Sequence, residues 1–259
     1  MAFDPAQYEK FAAPRLRPGL ELLGRIPSGP MRRRVVDLGC GTGELTQRLA
    51  YQFPAAHTTG IDNAPAMLDQ ARARYPHLSF ALGTIEGWDP PEPVDLVYAN
   101  AALHWASDHA ALLPRLLARL APGGVLAMQV PDNGRAASHR LLRELATEPP
   151  WNTRVALPPS PVLALERYYD VLAPLASAID LWETTYLHLL EGEDAVFEWV
   201  SGTTLTPVKA ALDPGDYARF AAGYKARLRA AYPRRDDGVT PFAFRRLFAV
   251  AIASGGGDR

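Results

Sequence analysis

The run Val35-Val36-Asp37-Leu38-Gly39-Cys40-Gly41-Thr42-Gly43 carries the densest chemistry in the sequence. Apolar residues lead into a turn, and glycines let the backbone bend sharply and approach a ligand closely. A helix that starts straight after the turn leaves its first amide donors free at the same point. Two phosphate sites are excluded. A dinucleotide loop, G-x-G-x-x-G, would match Gly39 and Gly41 but puts Glu44 at its last position, where a carboxylate would face a pyrophosphate. A Walker loop needs Gly-Lys-Ser or Gly-Lys-Thr, and neither follows. What remains is a G-x-G-x-G turn with an acid two residues ahead of it, which favours a ligand bearing positive charge and no phosphate. Adenosylmethionine, cationic at its sulfonium and amino groups, is such a ligand. The structural alternative is a tight strand-to-helix turn that binds nothing.

Asp62 ends the next strand, about twenty residues on, where an acid can accept both hydroxyls of a ribose. Its alternative is a helix cap, a role for which Asn63 also competes. Cys40 has no His near it in sequence and reads as a small side chain packed in the loop.

Strand ends must hold these residues, and the pattern supplies them. Strands are predicted over 34–37, 57–61, 78–83, 94–99 and 125–130, separated by helices over 44–53, 64–74 and 108–120. Asn63 is the expected N-cap of the second of these helices, with Pro65 in its first turn. Pro122-Gly123-Gly124 is expected to stop the third. Strand alternating with helix implies an α/β fold, a parallel sheet covered on both faces. Two short helices, 4–12 and 14–26, precede it. Beyond it come a helix over 134–147, a Pro-rich loop over 149–161, a partly helical 162–175 and a long strand over 179–189. Helices over 193–202 and 214–231 and a strand over 242–252 follow. These later elements are expected to complete the sheet and cap its ligand edge. One domain is expected, with 1–30 as a helical lid, 31–133 as the cofactor-binding core and 134–259 as cap helices plus final strands.

A chain of 259 residues with 48% hydrophobic content can fill one such domain. The formal net charge of -1 leaves no basic bias toward nucleic acid. A single Cys excludes an internal disulfide framework and a multi-Cys zinc site, so no metal is expected, and it suits a reducing cytoplasm. No apolar run approaches the roughly 18 residues that span a bilayer, and the N-terminus lacks a signal-peptide layout. The expectation is a cytoplasmic protein that acts on a small molecule, with no membrane or nucleic-acid partner. Oligomeric state is open.

Successive runs DLGCGTG, GIDxAPAML, FxxGTIEGW, DLVYANAALHW and LAPGGVLAMQVPDN, over about residues 35–133, resemble the motifs of class I S-adenosylmethionine-dependent methyltransferases. Further runs resemble the trans-aconitate 2-methyltransferase family over nearly the whole chain: Phe11-Ala12-Ala13, Tyr168-Tyr169-Asp170-Val171-Leu172, Trp182-x-Thr184-Thr185-Tyr186-x-His188, and Arg246-Leu247-Phe248. The resemblance implies a doubly wound, mostly parallel seven-stranded Rossmann-like sheet with helical cap insertions. It implies S-adenosyl-L-methionine as cofactor, S-adenosyl-L-homocysteine as product, and esterification of a carboxylate on a small, trans-aconitate-like polycarboxylic acid.

Residue by residue, the resemblance puts Gly39, Cys40, Gly41 and Gly43 against the methionine and ribose of the cofactor, with Asp37 near the methionyl amino group. Asp62 and Asn63 fall at the ribose, Thr84 and Ile85 at the adenine, and Asn100 beside the sulfonium. Thr84 stands where many relatives carry Asp, which puts an Asp-type contact to the adenine amino group in doubt. A carboxylate acceptor is already ionised at neutral pH and needs no general base. It does need cationic anchors, and Arg suits through its bidentate fork. Arg15, Arg17 and Arg246 are the candidates, with Arg167 behind them; each also reads as a solvated surface Arg. Trp105 is a candidate pocket wall, or else packs under the next helix. His104 is a donor to a carboxylate, or a base if the acceptor is a hydroxyl. Tyr8, Tyr169 and Tyr186 are candidate hydroxyl donors, His188 and His139 read as surface residues, and Trp199 as core. Two alternatives stand: a methyltransferase for another small or carrier-bound acceptor, and a cofactor-binding protein without turnover.

Overall fold

The computed structural model describes residues 12–29, 31–202 and 204–255, with side chains from Leu16 onward. The elements run α1 (Ala12–Gly24), β1 (Arg34–Leu38), α2 (Glu44–Gln52), β2 (His57–Asp62), α3 (Pro65–Arg74), β3 (Ser79–Leu82) and β4 (Val94–Asn100). After them come α4 (His109–Leu117), β5 (Leu120–Pro131), α5 (Ala137–Ala146), α6 (Leu165–Leu172), β6 (Ala176–Glu191), α7 (Ala195–Ser201), α8 (Thr206–Ala211), α9 (Pro214–Ala231) and β7 (Val239–Ala253). The strands form one seven-stranded sheet in the order β3-β2-β1-β4-β5-β7-β6. The strands from β1 to β5 pair in parallel, and β7 runs antiparallel to β5. The expected α/β architecture is therefore present, and its strand order reverses between β1 and β4, where open parallel sheets bind ligands.

Two compact units divide the chain. Among the described residues, one holds 16–29, 31–131, 161–184 and 246–255; the other holds 12–15, 132–160, 185–202 and 204–245. In the first, parallel strands are buried on both faces. Val36, Leu38, Val97, Ala99, Met128 and Leu247 pack on one face with Leu113 of α4 and Leu172 of α6. On the opposite face, the Tyr98 hydroxyl donates to the Gly19 carbonyl of α1 at 2.6 Å. Glu21 of α1 accepts from Trp182 Nε1 at 2.9 Å and from Thr184 Oγ1 at 2.8 Å, and Trp182 stacks flat on Phe248 with centroids 4.7 Å apart. The second unit has its own core, rich in aromatic rings from Trp151, Trp199, Phe220, Tyr224, Phe242 and Phe244.

Several expectations are corrected. The N-cap of α3 is Ala64, not Asn63; Asp62 Oδ1 accepts from the Ala64 amide at 2.9 Å, and Asn63 is exposed. Pro122-Gly123-Gly124 does not end α4, which stops at Leu117; it lies inside β5, because Leu120 pairs with Val94. The helix α8 was not foreseen. His188 is half-buried rather than a free surface residue: its ring centroid lies 4.2 Å from that of Trp199. His139 is also withdrawn, and burial lowers its pKa to about 4. Trp199 is core, as expected. The helix expected over 4–12 lies, apart from Ala12, outside the described residues. No helix among the described residues is long and apolar enough to cross a membrane.

One buried network locks the segment that follows β4. His109 Nε2 lies 2.9 Å from the Leu103 carbonyl, and Nδ1 lies 2.6 Å from the Tyr168 hydroxyl. The Leu103 carbonyl can only accept, so Nε2 carries the proton and Nδ1 accepts from Tyr168. Tyr168 in turn accepts from the Leu163 amide at 3.3 Å. Burial holds the His109 pKa down, which keeps the ring neutral in this role. Replacing Tyr168 by Phe leaves Nδ1 buried without a partner. We expect Tyr168→Phe to lose about 1–3 kcal/mol of unfolding free energy in denaturant titration. An unchanged midpoint would show that the network does not stabilise the fold.

Candidate active site

The strand ends at the reversal point collect most of the residues singled out from sequence. Asp37 pairs in register with Gly60 of β2 and Tyr98 of β4, Asn100 with Gln129 of β5, and Gln129 with Phe248 of β7. Side chains alternate along a strand and match across a register. Asp37, Asp62, Asn100, Gln129, Phe248 and Arg246 therefore all project from the same face, the face on which α1 lies.

The glycine turn is built for close approach. Gly39 has φ +83°, and a Cβ on it would sit 2.3 Å from the Cβ of Ala102 in the segment after β4. The Gly39 and Cys40 amides both donate to the Ile61 carbonyl, at 2.7 and 3.0 Å. Gly41 has φ +54° and faces open space. Its amide donates to Asp62 Oδ2 at 2.9 Å, so the acid at the end of β2 braces the loop. On the far side of the reversal point, Ala101 adopts φ +50°, a strained value for a residue with a Cβ. That bend carries the chain off β4 into a single turn of 3-10 helix, Leu103–Trp105.

The loop is strongly acidic. Asp37 is 2% exposed, and Thr46 of α2 donates to its Oδ2 at 2.6 Å. Burial raises the Asp37 pKa to about 7; the Thr46 hydrogen bond opposes this and the Asp62 charge adds to it. Glu44, at the start of α2, accepts from the Tyr75 hydroxyl at 2.6 Å and pairs with Arg48, contacts that hold its carboxylate below the usual range. Burial, with Asp37 and Asp62 nearby, pushes the Cys40 thiol far above its usual value, so it stays protonated and unreactive. Thr84 is exposed, and its hydroxyl accepts from the Gly87 amide at 3.0 Å. Ile85 packs against the apolar side of the sheet, and its carbonyl accepts from Arg115.

Across the reversal point lies a second group. Arg246 is only 6% exposed although it is charged. His104 is drawn down to a pKa of about 3, by burial first and by the Arg246 charge second, and its Nδ1 is buried with no hydrogen-bond partner among the described residues. Trp105 is 58% exposed, its ring 4.9 Å from that of His104, so it does not pack under the next helix. The Asn100 Oδ1 atom is buried without a partner among the described residues, as are both side-chain polar atoms of Gln129. Other candidates are not brought here. Tyr169 stands exposed on α6, whose inward residue is Tyr168, and Arg167 is spent on Asp170 at the surface. Tyr186 is buried in the other unit, and Arg17 is exposed on α1. Tyr8 and the side chain of Arg15 lie outside the described residues. The sequence reading missed Thr46 and Gln129. Gln129 did leave a signal, as the one polar residue in the apolar run Val125-Leu126-Ala127-Met128-Gln129-Val130.

Comparison with known proteins bears on the family and the fold. Residues 35–124 match the methyltransferase-domain family. The chain is 46% identical to trans-aconitate 2-methyltransferase of Paracidovorax citrulli, over 97% of this chain and 98% of that one. It is 49% identical to the enzyme of the same name from Streptomyces coelicolor, over 96% and 86%. Among solved structures it is similar to the YcgJ protein of Bacillus subtilis, at TM-score 0.58 and 16% identity, over 92% of this chain and 98% of that one. It is also similar to phosphoethanolamine N-methyltransferase 2 of Haemonchus contortus, solved with S-adenosyl-L-methionine, at TM-score 0.54 and 17% identity; 92% of this chain covers 52% of that one. At such identities the structures support the fold.

Asp37 makes the ligand-free site pH-sensitive. Its folded pKa, about 7, lies above the ordinary Asp value of about 4. Ionisation therefore disfavours the folded chain, and the Asp37 contribution to stability declines as pH rises from about 4 to 7, by up to roughly 4 kcal/mol. The stability of wild type relative to Asp37→Asn is expected to fall between pH 5 and 8 in thermal melts. A difference that stays flat with pH would contradict the raised pKa.

Proposed function

Since the chain belongs to the trans-aconitate 2-methyltransferase family, we propose that it transfers the methyl group of S-adenosyl-L-methionine to a carboxylate of trans-aconitate. The products are the methyl ester and S-adenosyl-L-homocysteine. The observation that carries the acceptor class is the pairing of a buried Arg246 with a His104 kept neutral. This is an anion site with no effective general base. A hydroxyl acceptor needs a base near neutral pH, and a group of pKa about 3 is a poor one. A carboxylate arrives already ionised.

The acidic, phosphate-repelling loop fits the methyl donor. Bound adenosylmethionine supplies a methyl carbon made electrophilic by its sulfonium. The carboxylate of Asp37 would hold the methionyl ammonium, and that charge would favour ionisation of an acid whose own burial opposes it. Asp62 already accepts the Gly41 and Ala64 amides, and its remaining lone pairs take the ribose hydroxyls beside Asn63. Gly39, Cys40, Gly41 and Gly43 form the floor, with open space at Gly41 where the ligand passes. Thr84 and Ile85 would border the adenine, and Asn100, with its buried Oδ1, would lie on the sulfonium side.

On the acceptor side the guanidinium of Arg246 grips a carboxylate through its fork. His104 adds a neutral hydrogen bond, and the exposed ring of Trp105 closes the mouth. These groups align the attacking oxygen with the methyl carbon and the sulfur and keep water away, and alignment of this kind can supply several kcal/mol of catalysis. The balanced charge of the chain supports a small acceptor over nucleic acid, and its single Cys supports work in a reducing cytoplasm.

Two experiments test this reading. Turnover with labelled cofactor across a panel of di- and tricarboxylic acids should show methylation of trans-aconitate; methylation of none would refute the acceptor class. Arg246→Gln should raise the acceptor KM by about 30-fold or more. Affinity for S-adenosyl-L-homocysteine, measured by calorimetry, should change little. Equal weakening of both ligands would remove Arg246 from the acceptor site.

A further inference from the structure

Gln129 is fully buried on β5, and neither Oε1 nor Nε2 has a hydrogen-bond partner among the described residues. Leaving a buried polar group unsatisfied costs about 1–3 kcal/mol, and native folds rarely tolerate it. The residues that share its face, Val125 and Ala127 on β5 and Phe248 on β7, are buried and apolar, so an apolar side chain suits the position. The packing of the sheet therefore gives no reason for a carboxamide here.

Its position does. Gln129 pairs in register with Asn100, whose Oδ1 is likewise buried without a partner, and with Phe248 of β7. It shares a sheet face with Asp37 and Asp62 on one side and with Arg246, opposite Pro131, on the other. The Gln129 carbonyl accepts from the Ala101 amide at 2.9 Å, which ties its strand to the strained bend after β4. Phe248 is pinned by the flat stack with Trp182, and Trp182 by Glu21. The carboxamide is thus held between the proposed sulfonium side and the proposed carboxylate anchor.

We infer that Gln129 is an acceptor-binding residue that selects a carboxylate, its Nε2 donating to an acceptor carboxylate oxygen that does not attack the methyl group. This rests on the acceptor class proposed above. A neutral amide suits the place. Nε2 supplies a donor without a second buried cation beside Arg246, and in a dry site such a bond is stronger than in water. An acceptor lacking the carboxylate leaves the amide unsatisfied, and a site whose buried polar groups go unpaired rejects that analogue strongly.

Gln129→Met separates this role from a structural one. Met matches the size of Gln and has no donor. A ligand-binding role predicts a melting temperature for Gln129→Met at or above wild type. It also predicts unchanged affinity for S-adenosyl-L-homocysteine and a trans-aconitate KM raised about 10- to 100-fold with a smaller change in kcat. Gln129→Glu, which replaces the donor by a charge, should weaken the acceptor further. Binding of trans-aconitate to the protein saturated with S-adenosyl-L-homocysteine is measured alongside. Wild type that binds no polycarboxylate overturns both this inference and the acceptor class. Wild type that binds, with Gln129→Met binding equally well, overturns only the role of Gln129. A lowered melting temperature with unchanged KM assigns Gln129 to the fold and also overturns the inference.

Discussion

Two carboxylates at the ends of neighbouring parallel strands, Asp37 and Asp62, set the terms for the rest of the site. Asp37 is buried, feels the charge of Asp62, and is moderated by one hydrogen bond from Thr46. Asp62 accepts from two backbone amides, Gly41 within the glycine turn and Ala64 at the start of α3. A phosphate brought here would meet both acids and Glu44 as well, whereas a cation would relieve them. The glycines serve the same end, because only a residue without Cβ at Gly39 lets the loop close on Ala102. Electrostatics and backbone geometry thus favour the same ligand: compact, cationic, and free of phosphate.

The other half of the site depends on what one face of the sheet can bury. Strand register brings Asn100, Gln129 and Arg246 into line, and each is a polar group withdrawn from water. Their placement is rigid because their neighbours are. Phe248 lies flat against Trp182, Glu21 holds Trp182 and Thr184 to α1, and the Tyr168–His109–Leu103 chain fixes the turn that carries His104 and Trp105. Burial, and after it the charge of Arg246, depress the imidazole pKa, and with it the capacity of His104 to act as a base. A site arranged in this way can orient an anion, and it has little means of creating one.

Reading the sequence recovered the alternating core well, since periodic burial leaves a strong local imprint. The strand ends at Asp37, Asp62 and Asn100 stood within a residue or so of their observed places. Errors arose where long-range contacts override local preference. Asn63 is a good capping residue, yet Asp62 reaches the Ala64 amide because β2 aims it there. Pro122-Gly123-Gly124 is a stop signal in isolation, yet pairing of Leu120 with Val94 makes it strand. His188 and His139 read as polar and therefore exposed; both are half-buried, His188 against Trp199. Of the two readings of Trp105, its exposure excludes packing under the next helix.

What the sequence determined by itself is the local arrangement of the proposed donor side. The acid, the glycines and the Asp at the next strand end lie within one βαβ unit, so their spacing along the chain is already their spacing in space. The acceptor side is different. Arg246, Gln129 and His104 come from β7, β5 and the turn after β4, and no local pattern distinguishes Arg246 from Arg15, Arg17 or Arg167. Only the sheet order, with antiparallel β7 laid against β5, buries that one arginine beside the histidine and leaves Arg167 at the surface with Asp170. Burial is a property of the assembled sheet, and it is burial that turns these ordinary side chains into a site.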